Sequence, residues 1–134
     1  MDCSSVAISG PLEKLDLSAY PGVVELVLAN NNITRVGAGF VDASSLVLLD
    51  LSNNAIEDVD QDAFTHVPNL QTLDLTGNAN LPTLPGGVFF GLRLLGTLSM
   101  DAHLECDGPG PTCHQSHTPS GVYFETNGTV ALFL

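Results

Sequence analysis

The sequence predicts a repeat solenoid of the α/β class: a short horseshoe with a parallel sheet on its concave face and little regular helix. Three observations support this prediction. The first is that leucines recur at intervals of 23, 24 and 25 residues, and the second is that one asparagine and one phenylalanine recur with them. A chain of 134 residues with 44% hydrophobic content suits one domain with one continuous core.

Each repeat reads L-x-x-L-x-L-x-x-N, the signature of a leucine-rich repeat. In the L-x-L part, two apolar side chains point inward from a short strand, and stacked strands pair into one parallel sheet. The pattern divides the chain into an N-terminal cap (1–22), three full repeats (23–45, 46–69 and 70–94), a partial repeat (95–103) and a C-terminal cap (104–134).

Two further positions of each repeat should stack along the solenoid. An asparagine lies where the chain turns away from the strand, and its amide can bond backbone groups that the turn leaves unpaired. We expect a ladder of Asn31, Asn54 and Asn78, with His103 at this position in the fourth copy. A phenylalanine lies six residues before each following repeat, and we expect a convex spine of Phe40, Phe64 and Phe89.

Three segments carry a resemblance to a known family: "VVELVLANNNITRV", "LVLLDLSNNAIEDVDQDAFTHVPN" and "LQTLDLTGNANLPTLPGGVFFGL". They resemble the extracellular leucine-rich repeats of Toll-like receptors, Slit-type guidance proteins and variable lymphocyte receptors, over roughly residues 12–106. The resemblance implies an N-terminal cap whose first strand holds Val6 and Ile8, and a cysteine-rich C-terminal cap. Caps of this family usually carry more cysteines than the three present here.

The end of the chain predicts a β-hairpin cap. The segment "GVYFETNGTVALFL" reads as two short apolar strands around Asn127-Gly128, a dipeptide that favours a tight turn. The hairpin should cover the last repeat, because a bare terminal repeat would expose its core leucines to water. Alternatively, "VALFL" begins another repeat or a membrane segment.

Composition excludes several functions. A net charge of −12 opposes binding to nucleic acid or to anionic lipid. No apolar run approaches the roughly 20 residues that span a bilayer, and no signal peptide is visible. Nucleophile-elbow, phosphate-loop and metalloprotease patterns are absent from the sequence, so we expect neither an enzyme nor a cofactor.

The outward strand positions form the candidate binding face. In the adjacent strands Asp50 and Asp74 should lie one above the other and repel, which suggests an acidic patch for a Lys- or Arg-bearing partner, or else solvated filler. Leu48 is apolar without a core to fill and suggests a contact. The candidate residues are Glu25, Val27, Ala29, Leu48, Asp50, Ser52, Thr72, Asp74, Thr76, Thr97, Ser99 and Asp101.

A cysteine and histidine cluster near the end of the chain has two interpretations. Family resemblance favours a disulfide between Cys106 and Cys113, which leaves Cys3 unpaired. The alternative is a zinc site that adds His103, His114 and His117.

Two sequons, at Asn32 and Asn127, would accept N-linked glycan if the chain enters the secretory pathway, and otherwise are simple turn residues.

Taken together, these features predict an extracellular or cell-surface, non-enzymatic module that recognises a protein on its concave face. Two alternatives remain open. One is a structural or self-associating module of a larger receptor ectodomain, pairing as a homodimer through its sheet ends. The other is a cytosolic, zinc-capped adaptor.

Overall fold

A computed structural model describes residues 1–85, 87–89 and 91–101, and beyond them the backbone of three strands. Regular structure in this part of the chain is entirely β, and the prediction of a parallel-strand solenoid of about four turns with little helix is confirmed. The strands are β1 Ser9–Leu12, β2 Glu25–Val27, β3 Asn32–Val36, β4 Leu48–Asp50, β5 Asp58–Val59, β6 Thr72–Asp74, β7 Thr83–Leu84, β8 Thr97–Met100, β9 Glu105–Cys106, β10 Val122–Thr126 and β11 Thr129–Phe133.

Within the residues described, no helix has both the length and the apolar character needed to cross a membrane.

One six-stranded sheet, here called the main sheet, contains one strand from each repeat. Strands β2, β4, β6 and β8 are parallel and in register, so that each L-x-L segment stacks on the next. The central leucines of these strands are Leu26, Leu49, Leu73 and Leu98, and all are fully buried. The main sheet is therefore the parallel sheet that the repeat pattern predicts.

Each strand of the main sheet is short because the backbone turns sharply after it. Asn30, Asn53 and Gly77 follow three successive strands in the left-handed conformation, with φ of +58°, +54° and +73°. Asparagine and glycine are the residues that tolerate this conformation best. The turns at Asn30 and Asn53 lead into β3 and β5, which pair in parallel with β1 in a second sheet, here called the side sheet. The turn at Gly77 leads into β7, which pairs with β9.

The ladder of Asn31, Asn54 and Asn78 is confirmed, and it links consecutive repeats, whereas His103 lies outside the described residues. The Asn54 side-chain amide donates to the carbonyl oxygens of Leu51, 3.1 Å away in its own repeat, and Leu28, 3.0 Å away in the preceding one. Its Oδ1 accepts from the backbone N–H of Ile33 at 3.1 Å. Asn78 bonds in the same way one repeat later, and Asn31 bonds the N-terminal segment.

The phenylalanine spine is also confirmed, although its two contacts differ in geometry. The Phe40 and Phe64 ring centroids lie 6.4 Å apart with the rings nearly perpendicular at 82°. The Phe64 and Phe89 centroids lie 6.1 Å apart with the rings stacked at 15°. All three rings are buried, so the spine forms part of the continuous core.

The predicted N-terminal strand through Val6 and Ile8 is wrong. Val6 is 57% exposed, and the first strand is β1, which begins at Ser9 and joins the side sheet. Ser5 and Ala7 have φ of +54° and +64°, and left-handed residues cannot continue an extended strand. The backbone here curves around the Asn31 side chain, whose Oδ1 accepts from the N–H groups of Val6 and Ile8.

The C-terminal hairpin pairs as predicted. Strands β10 and β11 are antiparallel, with Thr126 opposite Thr129, and β10 adds in parallel to β8. The turn residues 127 and 128 lie outside the described residues. The hairpin thus extends the main sheet beyond the last repeat.

Candidate binding face

The outward face of the main sheet presents two rows of side chains in register. Alternation along each strand places these residues opposite the buried leucines. The first row is Glu25, Leu48, Thr72 and Thr97, and the second row is Val27, Asp50, Asp74 and Ser99. The backbone of β10 pairs in register with β8, with Tyr123 opposite Thr97 and Glu125 opposite Ser99. The structure therefore brings together the strand-borne candidates that the sequence predicted.

Asp50 and Asp74 are register neighbours, and each has one carboxylate oxygen engaged at the end of its strand. Asp50 Oδ1 accepts from the Ser52 backbone N–H at 2.9 Å. Asp74 Oδ1 accepts from the Thr76 backbone N–H at 2.9 Å and from the Thr76 hydroxyl at 2.6 Å. Within the described residues, every salt bridge involves Arg35, so neither aspartate is paired with a cation there. One oxygen of each carboxylate is therefore held at the end of its strand.

Asp101 has a more structural position than the sequence suggested. Its carboxylate accepts from the backbone N–H groups of Gly77 at 3.0 Å and Asn78 at 3.1 Å. In earlier repeats a backbone carbonyl takes this role: Ser52 accepts from Asn30, and Thr76 accepts from Asn53. Asp101 occupies the position of Ser52 and Thr76 in its own repeat, and its carboxylate takes the place of their carbonyl oxygens as the acceptor for the third turn.

Three other candidates are largely covered. Ser52 and Ser99 are each 7% exposed, and Ala29 is 6% exposed. Their side chains therefore offer little area to a partner. Accessible candidates are Glu25, Val27, Leu48, Asp50, Thr72, Asp74, Thr76 and Thr97.

An apolar stretch at the first two repeats was predicted only in part, because the candidate residues included Val27 and Leu48 but not Val24 and Val47. Val24 is 50% exposed, and its carbonyl oxygen accepts from the backbone N–H groups of both Val47 and Leu48, at 2.7 and 3.1 Å. Val24, Val47 and Leu48, together with Val27 on β2, are here called the apolar patch, and all four side chains are at least partly exposed. The second position of L-x-x-L, apolar in both repeats, was the sequence signal for Val24 and Val47.

Beside the apolar patch lies an open depression of about 520 Å³, lined by Met1, Tyr20, Gly22 and Val23. Tyr20 is 57% exposed, whereas the corresponding residues of later repeats, Ala43, Val67 and Leu92, are buried. The depression adds apolar surface at this end of the main sheet.

The side sheet carries a charged cluster that the sequence analysis did not find. Arg35 on β3 bonds Glu13 and Asp58 at 2.8 Å each and Asp60 at 3.1 Å. The hydrogen bonds that Arg35 donates to Asp58, and then to Glu13, raise the pKa of Arg35 above its ordinary value. The guanidinium thus links residues near β1, β3 and β5, and this cation is not available to the binding face.

The cysteine and histidine cluster lies mostly outside the described residues, which include only the backbone of Cys106. The predicted disulfide with Cys113, the zinc alternative through His103, His114 and His117, and the sequon at Asn127 therefore stay predictions. Cys3 packs against the core and has no disulfide partner in the described part of the chain. Asn32 is exposed at the start of β3.

No grouping of three or more histidine, cysteine or acidic side chains suited to a metal ion occurs within the residues that the structure describes.

These features define a class of protein: a β-solenoid whose turns each give one strand to a parallel sheet and one asparagine to a ladder. The family model "Leucine rich repeat" matches residues 21–79 and 44–102, more than half of the chain. The protein belongs to the leucine-rich repeat family. Domains of this family typically bind other proteins and are typically non-enzymatic.

A curated zebrafish (Danio rerio) protein, "Leucine-rich repeat-containing protein 3", is similar to this chain. The two are 38% identical over 98 residues, which cover 71% of this chain and 36% of the relative. The chain therefore spans about a third of that relative's length.

Proposed function

We propose that this protein is a non-enzymatic recognition module that binds a protein ligand on the outward face of its main sheet. One observation carries the proposal: the apolar patch of Val24, Val27, Val47 and Leu48 directly adjoins the register pair Asp50 and Asp74. Apolar contact area beside fixed charges is typical of protein interfaces, in which the apolar part contributes affinity and the charges contribute specificity.

The aspartate pair indicates the chemistry of the partner. Neighbouring parallel strands lie about 4.8 Å apart, so the two carboxylates repel each other in the free protein. A guanidinium or ammonium group placed between them removes this repulsion and can bond the oxygens that the turns leave accessible. The favoured partner therefore carries an arginine or lysine beside an apolar side chain that contacts Leu48.

The size of the face limits how it is used. A standard protein interface buries about 800 Å² on each partner. A sheet of four short repeat strands and a hairpin would use most of its outward surface to provide that area. The module accordingly uses nearly the whole face, or it works within a larger receptor ectodomain of the Toll-like, Slit or variable lymphocyte receptor type.

We place the module outside the cell or on its surface. The support is the sequon at exposed Asn32, the second sequon at Asn127, and the pair Cys106 and Cys113. Thiol labelling of native protein before and after reduction, with a zinc assay on the same sample, tests this location. Labelling of Cys106 and Cys113 only after reduction, without zinc, supports it; free labelling or equimolar zinc contradicts it and favours an intracellular adaptor.

The binding proposal is tested with a panel of purified extracellular protein domains. Asp50→Asn with Asp74→Asn should weaken a captured partner at least about tenfold, roughly 1.4 kcal/mol. The fold should be retained, because an asparagine Oδ1 can accept the same backbone bonds. Leu48→Thr should also weaken the partner, and Thr72 and Thr97 show that this row accommodates threonine.

The matched control removes the same charge elsewhere. Asp42→Asn with Glu57→Gln changes two exposed acids outside the main sheet and should leave affinity unchanged. A partner whose affinity falls with the control pair and not with the Asp50 and Asp74 pair would show that binding uses another surface.

A further inference from the structure

The two ends of the main sheet differ in how their backbone groups are paired. At the first end, residues 1–5 run along β2. The Val27 N–H donates to the Met1 carbonyl at 2.9 Å, the Cys3 N–H donates to Val27 at 2.7 Å, and the Ser5 N–H donates to Ala29 at 3.1 Å. This end of the sheet is therefore already covered.

The covering segment is itself a poor template for another strand. It carries a charge at Asp2, whose carboxylate accepts from the Ser4 N–H at 2.9 Å. It then bends at Ser5, which has a φ of +54°. Charge and bending are two devices that prevent edge-to-edge pairing of sheets.

The other end of the main sheet is β11, Thr129–Phe133, the last strand in the sheet order. It pairs with β10 along its full length, and of the strands described it has no second neighbour. Its sequence, TVALF, contains no charged residue, proline or glycine, and threonine, valine and phenylalanine favour strands. An edge of this composition is a template for a further strand.

We propose that two copies of this protein pair through β11 in antiparallel orientation, which joins their two main sheets into one continuous sheet. A two-fold axis at Ala131 sets Ala131 opposite its counterpart and Val130 opposite Leu132 of the second copy, so apolar residue types meet apolar ones. The contact is isologous and uses the open edge of both copies. Because the first end of each sheet is covered, association stops at two chains.

A second copy fits this edge despite the net charge of −12. The acid in the hairpin strands is Glu125 on β10, in register with Val130. In the pair, the two Glu125 backbones are separated by three strand spacings, about 14 Å. That distance exceeds the roughly 8 Å screening length at physiological salt. Edge pairing also keeps the acidic outward faces side by side without stacking them.

Sedimentation equilibrium of the full chain over a dilution series tests this proposal. The mass should rise from that of one chain to that of two as concentration increases, and it should not rise further. Ala131→Lys should shift the dimer to monomer, because two lysines would lie opposite each other at the axis. Asn80→Lys, the same change in charge at an exposed site away from β11, should leave the dimer intact.

Hydrogen exchange of the unaltered protein gives a second readout in case Ala131→Lys disturbs the hairpin. Amides of β11 should become more protected as concentration rises, while amides of residues 1–5 should not change. A mass of one chain at every concentration overturns the proposal. Three other results also overturn it. They are a dimer whose amides gain protection away from β11, a dimer that persists in a folded Ala131→Lys variant, and assembly beyond two chains. Recognition through the outward face is independent of all these results.

Discussion

The main sheet and the side sheet are built from the same repeats but are held together differently. Strands of the main sheet stack through identical buried leucines and through asparagines that bond the preceding repeat. In the side sheet, by contrast, one arginine joins one acid of the preceding turn and two acids of the following turn. An apolar contact that recurs in each repeat is duplicated along the chain, and salt does not screen it. The partly exposed Arg35 cation occurs once, and salt screens its ion pairs.

The largest loss should come from the spine behind the main sheet. Phe64 is 3% exposed and contacts both neighbouring rings. Phe64→Ala should lower the free energy of unfolding by about 3–5 kcal/mol, because it leaves a cavity in the core. Phe64→Leu, which keeps much of the volume, should cost clearly less in the same denaturant titration. A loss below about 1 kcal/mol for the alanine variant would mean that the ring does not support the core.

The next largest loss should come from the ladder. Asn54→Ala leaves the Ile33 N–H without its acceptor. It also removes one of the two amide donors to each of the carbonyl oxygens of Leu28 and Leu51. We expect the free energy of unfolding to fall by about 1–3 kcal/mol, the usual cost of unsatisfied buried groups. Asn80→Ala, at an exposed loop position, should stay within about 0.5 kcal/mol of wild type. Equal melting temperatures for the two variants would contradict the ladder.

Arg35→Gln should have a smaller effect that depends on salt. It removes the cation that joins Glu13, Asp58 and Asp60, and such partly exposed ion pairs are screened by ions. The melting temperature should fall in low salt, and the difference from wild type should shrink as sodium chloride is raised. Arg93→Gln, at an exposed arginine, is the matched control and should change little. A deficit that does not depend on salt would show that Arg35 acts by packing.

The smallest effect concerns Asp16, in the segment between β1 and β2. The backbone N–H of Ser18, and then its hydroxyl, lower the pKa of Asp16 below its ordinary value of 3.8. A lowered folded-state pKa stabilises the fold above the unfolded-state value, and this stabilisation is lost as pH falls through the folded-state pKa. The melting temperature of wild type should be higher than that of Asp16→Asn at neutral pH, and the two should be equal in acid. A gap that stays constant with pH would rule out this contribution.

The repeated parts of the fold could be predicted because each position recurs three times. Leu26, Leu49 and Leu73 mark the strands, and the asparagines and phenylalanines mark the ladder and spine. The N-terminal segment could not be predicted in this way. Its path depends on left-handed Ser5 and Ala7, residue types that give no signal for that conformation.

Contacts between turns were also hidden in the sequence. The acids that bond Arg35 lie 22, 23 and 25 residues away, so only the register of the side sheet brings them together. The two rows of the candidate face could be predicted from strand alternation. The burial of Ser52 and Ser99 could not be predicted, because strand alternation assigns both residues to the outward face.

The measurement that tests the central claim most directly is carboxyl footprinting of the protein with a captured partner bound. Water-soluble carbodiimide and an amine label exposed carboxylates, and the modified residues are read by mass spectrometry. Binding on the outward face of the main sheet predicts that Asp50 and Asp74 become protected while exposed Asp42 and Glu57 are labelled as in the free protein. Protection of Asp42 or Glu57, with Asp50 and Asp74 unchanged, would contradict that claim.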